Sequence, residues 1–97
     1  MWSGRASPSN PEGYADYFRR TLLPELKTIN GFIGATLLRR TDGDAIELIV
    51  LTRWQSLDAV RAFAGLELGK AVVEPEAIAA LVDYDRRVTH FEVVEDS

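Results

Sequence analysis

The stretch FIGATLLRRTDGDAIELIVLTRW, residues 32–54, decides the fold. Apolar and β-branched residues dominate both halves of this stretch, and the pair Asp42-Gly43 separates them. An Asp-Gly pair between two such runs is among the strongest sequence signals for a β-hairpin. We therefore predict two antiparallel strands over residues 32–41 and 45–54, joined by a tight turn.

The predicted hairpin has two sheet faces, and both are largely apolar. With Asp42 and Gly43 as the two turn residues, Leu37 lies opposite Leu48. A three-residue loop instead would shift the pairing and change which residues share a face. In the two-residue case one face holds Ile33, Ala35, Leu37, Ile46, Leu48 and Val50. The other face holds Phe32, Thr36, Leu38, Glu47, Ile49, Leu51 and Arg53.

Helix signals lie on both sides of the hairpin. Asn10-Pro11-Glu12 is typical of a helix start, and apolar residues spaced three and four apart continue from there to residue 29. We expect an interruption at Pro24 and a left-handed cap at Gly31. Ser56 is predicted to cap a second helix over residues 57–64, with Leu57, Val60 and Phe63 facing inward and Gly65 at its end. After a short link at residues 66–70, a third helical stretch from Glu74-Pro75-Glu76 runs to about residue 82 and is buried through Ile78 and Leu81.

Strands complete the chain at its two ends. Trp2 lies in the first strand, and the last strand covers residues 84–95, where the run from Val88 to Val94 alternates. The order is therefore strand, helix, strand, strand, helix, strand. It predicts an α+β protein with a ferredoxin-like βαββαβ arrangement and a four-stranded antiparallel sheet, in one domain over residues 1–97.

Composition excludes several classes of protein. The chain has 97 residues with no cysteine and one histidine, which excludes thiol catalysis, disulfides and metal sites with two imidazole ligands. Eleven basic and fifteen acidic residues give a formal net charge of −4, so we expect no nucleic-acid partner. The longest uncharged run is far shorter than the ~20 residues that cross a bilayer. Without an export signal, a cytoplasmic protein that binds no membrane is expected.

An antiparallel sheet with helices on one face leaves its other face to be covered by something else. On that face the predicted hairpin carries four large apolar side chains, Phe32, Leu38, Ile49 and Leu51. Leaving them in water forgoes roughly 1.5–3 kcal/mol each, which together matches the net stability of a small domain. We expect the face to pack against a second copy in a twofold homodimer. The alternative is that these are scattered surface residues.

Several motifs together resemble a known family. The most specific are Gly31-Phe32-Ile33-Gly34 and, further along, Leu51-Thr52-Arg53-Trp54-Gln55-Ser56. Shorter matching segments lie along nearly the whole chain, at residues 2–4, 14–17, 29–35, 63–65, 71–73 and 90–93. With them the chain resembles the antibiotic biosynthesis monooxygenase family of dimeric α/β barrel proteins.

The resemblance implies two ferredoxin-like subunits whose sheets form a barrel, each with a cavity between its sheet and its helices. Some members oxidise phenols without metal or flavin, since the deprotonated substrate itself reduces O2 while the protein binds it, removes the proton and excludes water. The implied function is a cofactor-independent monooxygenase acting on a small aromatic or polyphenolic substrate. Two alternatives stay open: a non-catalytic ligand-binding or stress-associated barrel, and a haem-binding or haem-degrading protein.

Five residues are candidates for such a site. His90 is the candidate general base, because histidine alone has an unperturbed pKa near neutrality; a structural histidine in the barrel or at the dimer seam is the alternative. Trp54 and Trp2 can stack on a flat aromatic ligand, with core packing at the strand ends as the alternative. Phe63 and Tyr17 contribute if the cavity opens beside them. No metal and no tightly bound cofactor is expected.

Overall fold

The predicted hairpin forms one half of the sheet, with its first strand at the edge, in the computed structural model, which describes residues 1–64 and 75–96. Its strands are β2 (Phe32–Asp42) and β3 (Ala45–Trp54). On the other side of β3 lies β1 (Trp2–Ala6), followed by β4 (Leu81–Tyr84), and all neighbours are antiparallel. The strand order β2-β3-β1-β4 is consistent with a ferredoxin-like fold. The predicted α+β class and four-stranded antiparallel sheet are thereby confirmed.

The first helix changes its pitch in the middle. The segment α1 (Gly13–Tyr17) passes into a π-helical turn (Phe18–Leu22) and then into α2 (Leu23–Leu26). The Leu23 N–H closes the wider turn by donating to the Phe18 carbonyl. Pro24 follows at once; it has no N–H to donate and crowds the preceding turn. The interruption expected at Pro24 therefore takes the form of a π-helical turn.

The sequence predicted the cap at the end of this helix correctly, but not the cap at its start. Gly31 has a φ of +87°, the left-handed conformation predicted for it. At the start, Glu12 rather than Asn10 occupies the N-cap, and no side-chain hydrogen bond caps the helix there. The Glu12 carboxylate instead accepts a hydrogen bond from Arg39 in β2, at 2.6 Å. A contact with the sheet has taken the place of the local cap.

The remaining helices are α3 (Leu57–Ala64) and α4 (Pro75–Ala79). The Ser56 hydroxyl accepts from the Ala59 N–H at 3.3 Å, which confirms the predicted cap of α3. Leu57 is exposed although it was expected to face inward. The inward-facing Val60 is buried as predicted.

The last helix differs most from its prediction. It ends at Ala79 instead of residue 82, because the chain turns into β4 there. It buries Ala77 and exposes Ile78, since neighbouring helix positions point about 100° apart and only one side of a single turn meets the core. The predicted helix end at Gly65, the link at residues 66–70 and the start at Glu74 lie outside the described residues.

The hairpin turn lies one residue later than predicted, at Gly43 and Asp44. Leu37 consequently lies opposite Val50 instead of Leu48. This change of two residues in pairing leaves the predicted faces nearly intact, because side chains alternate with a period of two. Gly43 has a φ of +61°, which glycine adopts without the steric cost that other residues incur.

A β-bulge at the start of β2 moves two residues away from their predicted faces. The register shifts between Phe32 and Gly34, so Ile33 has no direct partner and is 60% exposed rather than inward-facing. Phe32 now lies beside Trp54, and the two rings meet edge to face with centroids 5.2 Å apart. The bulge thus pairs these two aromatic rings at one end of the hairpin.

The core lies between the sheet and the helices. Its buried members come from β1, the first helix, β3 and the segment around α4: Trp2, Ala6, Tyr14, Tyr17, Phe18, Leu48, Val50, Ala77 and Ala80. The opposite face of the sheet is not covered by a helix and carries both apolar and charged side chains. Among the described residues, no helix has the length and apolar character needed to cross a membrane.

The predicted last strand is wrong beyond Tyr84. The chain still runs beside β1 for a few residues, with the Asp85 N–H donating to the Ser3 carbonyl at 2.8 Å and the Thr89 N–H to the Met1 carbonyl at 2.9 Å. The alternating pattern continues to Val94, but residues 91–96 form no strand. A strand needs a pairing edge as well as a pattern. Phe91 is consequently 72% exposed.

Candidate functional site

Trp2 and Tyr17, two of the predicted ligand-binding residues, belong to an aromatic cluster in the core. The Trp2 ring stacks on Tyr14, with centroids 5.4 Å apart and planes at 24°, and Tyr17 lies 5.7 Å from Tyr14. The Trp2 indole N–H donates to the Asp85 carbonyl at 2.8 Å. Trp2 is buried, and protein groups contact both its ring and its N–H. These contacts are the core packing that the sequence left open as the alternative.

Trp54 lies elsewhere. Its indole N–H donates to the Thr52 hydroxyl at 2.8 Å, and its ring contacts Phe32. Trp2 pairs with Val50, four residues before Trp54 on β3. At ~3.3 Å per residue, the two tryptophans are about 13 Å apart along the strand direction. The fold therefore does not bring them together on one ligand-sized surface.

His90 and Phe63 come from two other segments of the chain. His90 is exposed and lies in the segment that follows β4, next to Thr89, whose carbonyl accepts a hydrogen bond from the Met1 amino group. Phe63 lies in α3, and its side chain is outside the described part of the structure. The roles predicted for these two residues stay predictions.

A cleft of about 160 Å³ opens between the first helix and the hairpin. Its lining combines a small apolar surface with two arginines: Pro11, Ala15, Arg19, Leu37, Arg39 and Leu48. Leu48 is only 2% exposed, so the cleft reaches down to the hydrophobic core. The cleft lies on the helix-covered side of the sheet, where the family resemblance implies a cavity. None of the five predicted site residues is among those that line it.

The charges at this cleft are paired but not buried. Arg39 Nη1 donates to Glu12 Oε1 at 2.6 Å, and Arg19 Nη1 to Asp16 Oδ1 at 3.4 Å. All four side chains are more than half exposed. Ion pairs at such exposure contribute little to stability, about 0–1 kcal/mol each. The arginines can therefore exchange these carboxylates for others at small cost.

The fold perturbs the phenol of Tyr14 in this region. Burial raises the pKa of its phenol well above the ordinary value, and the neighbouring Tyr17 adds to the rise. The phenol stays neutral across the physiological range and can accept no proton as a phenolate base. At the first residue, burial lowers the pKa of the Met1 amino group. Neither group lines the cleft.

Arg19 and Arg39 were not among the site residues predicted from the sequence. A signal for Arg39 was present, since the predicted register already placed it on the same strand face as Ala35 and Leu37. A charged residue that continues the inward face of a strand indicates either the rim of a site or a partner on the covering helix. Here both hold, because Arg39 lines the cleft and binds Glu12.

Comparison with known proteins does not extend this description. The chain matches no protein-family model. No curated protein and no solved structure matches it significantly. Across residues 1–64 and 75–96, no three His, Cys, Asp or Glu side chains come together as a metal site.

Proposed function

We propose that the chain binds a small aromatic or polyphenolic molecule in the cleft between the first helix and the hairpin, and oxidises it with O2. In this proposal it acts as the antibiotic biosynthesis monooxygenases that its sequence resembles, with no resident metal or flavin. The deprotonated substrate supplies the electrons for O2, so the protein has to bind it, remove a proton and limit access of water.

The cleft is the observation that carries the proposal. Its apolar residues Leu37 and Leu48 come from paired strands, and Ala15 comes from the helix above them. Small-molecule sites typically combine such an apolar wall with a few polar groups that orient the ligand. The two arginines at this cleft are groups of that kind.

Proton removal is assigned to His90 in this proposal. His90 is the single histidine of the chain, and it lies outside the cleft lining. A base must come within hydrogen-bond reach of the proton that it removes, directly or through one water. Oxidation by a His90 variant tests this role directly.

Oxygen consumption tests the oxidation. An electrode would record O2 uptake by the protein with dihydroxyanthracene or a naphthoquinol, after subtraction of substrate autoxidation. We expect saturable uptake that falls about 10²-fold or more in His90→Ala, the usual contribution of a general base. Thr89→Ala is the control, because it changes the neighbouring exposed residue and keeps the imidazole. An unchanged rate in His90→Ala would exclude the base role.

The same cleft favours a second candidate, a non-catalytic protein that binds a small ligand. In that case titration with a naphthoquinol under nitrogen shows saturable binding, and no O2 uptake above autoxidation follows on admission of air. Absence of both binding and uptake would remove the two candidates together.

We further propose that a second copy covers the open face of the sheet, as in a dimeric barrel. Leu38 is 44% exposed on this face, with Ile49 and Leu51 half-buried beside it. The ion pairs Arg5–Asp83 and Arg40–Glu47 lie toward the hairpin-turn end of the same face. An apolar centre with charged groups at its margin is the usual composition of a protein interface. A homodimer is the partner state proposed here.

A further inference from the structure

We infer that the cleft between the first helix and the hairpin selects an anionic ligand, a phenol whose single ring also carries a carboxylate. The inference rests on the proposed function, because it names the substrate class of the same cleft. It adds that Arg19 and Arg39 bind the carboxylate while the ring lies against the apolar wall. Three observations support it: the volume of the cleft, the two different elements that supply its arginines, and the hydrogen bond between Glu12 and Arg39.

The size of the cleft limits the ligand. Its volume is about 160 Å³. An apolar cavity of about 150 Å³ holds one benzene molecule. The whole cleft, with its arginines, is therefore about as large as one six-membered ring, which would lie next to Leu37 and Leu48.

The two arginines come from opposite walls. Arg19 belongs to the π-helical turn of the first helix, and Arg39 lies on β2 in register with Leu48, which is buried beneath the cleft. A guanidinium has five N–H donors in one plane and binds carboxylates in a fixed geometry. Two such groups beside one apolar wall match a ligand that has an apolar ring and one carboxylate.

Glu12 shows that a carboxylate fits at Arg39. Its Oε1 accepts from Arg39 Nη1 at 2.6 Å, a short, charge-assisted hydrogen bond. Both side chains are half-exposed, so this pair is weak in free energy and can be displaced. Within the described residues Glu12 is the single acceptor bound to Arg39, which leaves further N–H donors for a ligand. Glu12 acts in this arrangement as a competitor for the ligand's carboxylate.

Benzoate and benzyl alcohol are the probes that test the inference. They share one ring and differ in charge, and ¹H–¹⁵N spectra of the full chain report binding at Ala15 and Leu48. We expect benzoate to shift these amides saturably and to bind about tenfold or more tightly than benzyl alcohol. Equal affinity for the two probes, or no binding of benzoate, would overturn the inference.

Arginine variants identify the groups that bind the carboxylate, each with a matched control. Arg39→Gln is compared with Arg40→Gln, the next residue on β2, which pairs with Glu47 at 3.1 Å away from the cleft. We expect Arg39→Gln to weaken benzoate binding about tenfold and Arg40→Gln to leave it unchanged. Equal effects of the two substitutions would contradict the assignment.

Arg19→Gln has its own control in Arg61→Gln. Arg61 pairs with Asp58 three residues earlier on α3, as Arg19 pairs with Asp16 on the first helix, but it does not line the cleft. Loss of benzoate affinity in Arg19→Gln alone supports the inference. Loss in both variants, or in neither, refutes the role of Arg19.

A variant with the opposite expected effect guards against misfolding as an explanation. Glu12→Gln removes the competing carboxylate and is expected to tighten benzoate binding several-fold, a result that a damaged fold would not give. Weaker binding in Glu12→Gln would count against the inference.

The outcomes also separate this inference from the proposed function. Benzoate binding that depends on Arg39, with no O2 uptake on any quinol, supports the anion site and rejects the oxidation. Quinol oxidation that is unaffected in Arg19→Gln and Arg39→Gln supports the oxidation and rejects the anion site.

Discussion

The fold changes the proton affinity of Tyr14. Its phenol lies among Trp2, Tyr17 and the rest of the core, where burial favours the neutral form. In the unfolded chain the same phenol ionises near its ordinary pKa of 10.0. The folded and unfolded states therefore differ in proton affinity, which links the stability of the protein to pH.

The sign of this link predicts alkaline destabilisation. Below about pH 10 Tyr14 is neutral in both states, and its contribution to stability is constant. As the pH rises above that value the unfolded chain loses the proton and the folded chain keeps it, so the free energy of unfolding falls. Urea unfolding at stepwise increasing pH measures the slope. We expect it to be reduced in Tyr14→Phe and kept in Tyr84→Phe, which leaves Tyr14 in place; identical slopes in both variants would contradict the assignment.

Single residues also show why the site was harder to predict than the fold. The candidate residues Trp2 and Trp54 were chosen for what an indole can do, but the positions of their partners decide what it does here. Trp2 meets Tyr14 across the core and Trp54 meets Phe32 across the bulge. A composition pattern contains no information on such distant neighbours. The alternation that places Arg39 on the inward face was in the sequence, but its meaning depends on Glu12 across the cleft.

Among the elements, the link between the first helix and β2 depends on one glycine. Gly31 has a φ of +87°, and a Cβ built on it would lie 2.5 Å from the Cβ of Ala59 in α3. The Gly31 carbonyl also accepts a hydrogen bond from the Gln55 N–H at 2.8 Å. This position therefore requires a left-handed backbone and a close approach at the same time.

Two glycine substitutions separate these requirements. Gly43 also has a positive φ, +61°, but nothing lies within 4 Å of a Cβ placed there. Gly43→Ala should lower the free energy of unfolding by about 1–2 kcal/mol, the cost of a left-handed backbone at a residue other than glycine. Gly31→Ala adds a steric clash and should cost about 2–5 kcal/mol. Urea unfolding followed by tryptophan fluorescence measures both values, and equal costs would show that α3 moves away freely.

Sequence signals within a few residues predicted most helices and strands, whereas contacts between distant residues determine where these elements end. The hairpin, β1 and the cap of α3 follow from turn chemistry and periodicity within a few residues. The length of β4 does not, because a strand also needs a neighbouring backbone to pair with, which no local pattern reveals. The shift of the turn to Gly43 and Asp44 and the bulge at Ile33 are register choices, which the pairing of whole strands determines.

At the scale of the whole molecule, the open sheet face predicts association. Ile49 lies near the centre of that face, on β3 between its neighbours β2 and β1. We expect sedimentation equilibrium at micromolar concentration to give a dimer. Ile49→Arg should weaken association about tenfold or more, because a charge would be buried without a partner.

Ile78→Arg is the matched control for this substitution. Ile78 is an exposed isoleucine on α4, which packs on the helix-covered side of the sheet. We expect this variant to sediment as the parent protein does. A parent chain that sediments as a folded monomer would reject the dimer, and equal weakening by both variants would place the contact on another surface.

The π-helical turn affects how this chain can change in length. A wider turn of this kind contains one residue more than a regular helix needs to connect the same two faces. Loss of one residue between Phe18 and Leu22 would remove the extra residue of this turn and keep Tyr17 and Leu26 directed at the same neighbours. Loss of a residue from Gly13–Tyr17 would instead rotate everything before it by about 100°. We therefore expect the loss of one residue to be better tolerated at this turn than elsewhere in the helix.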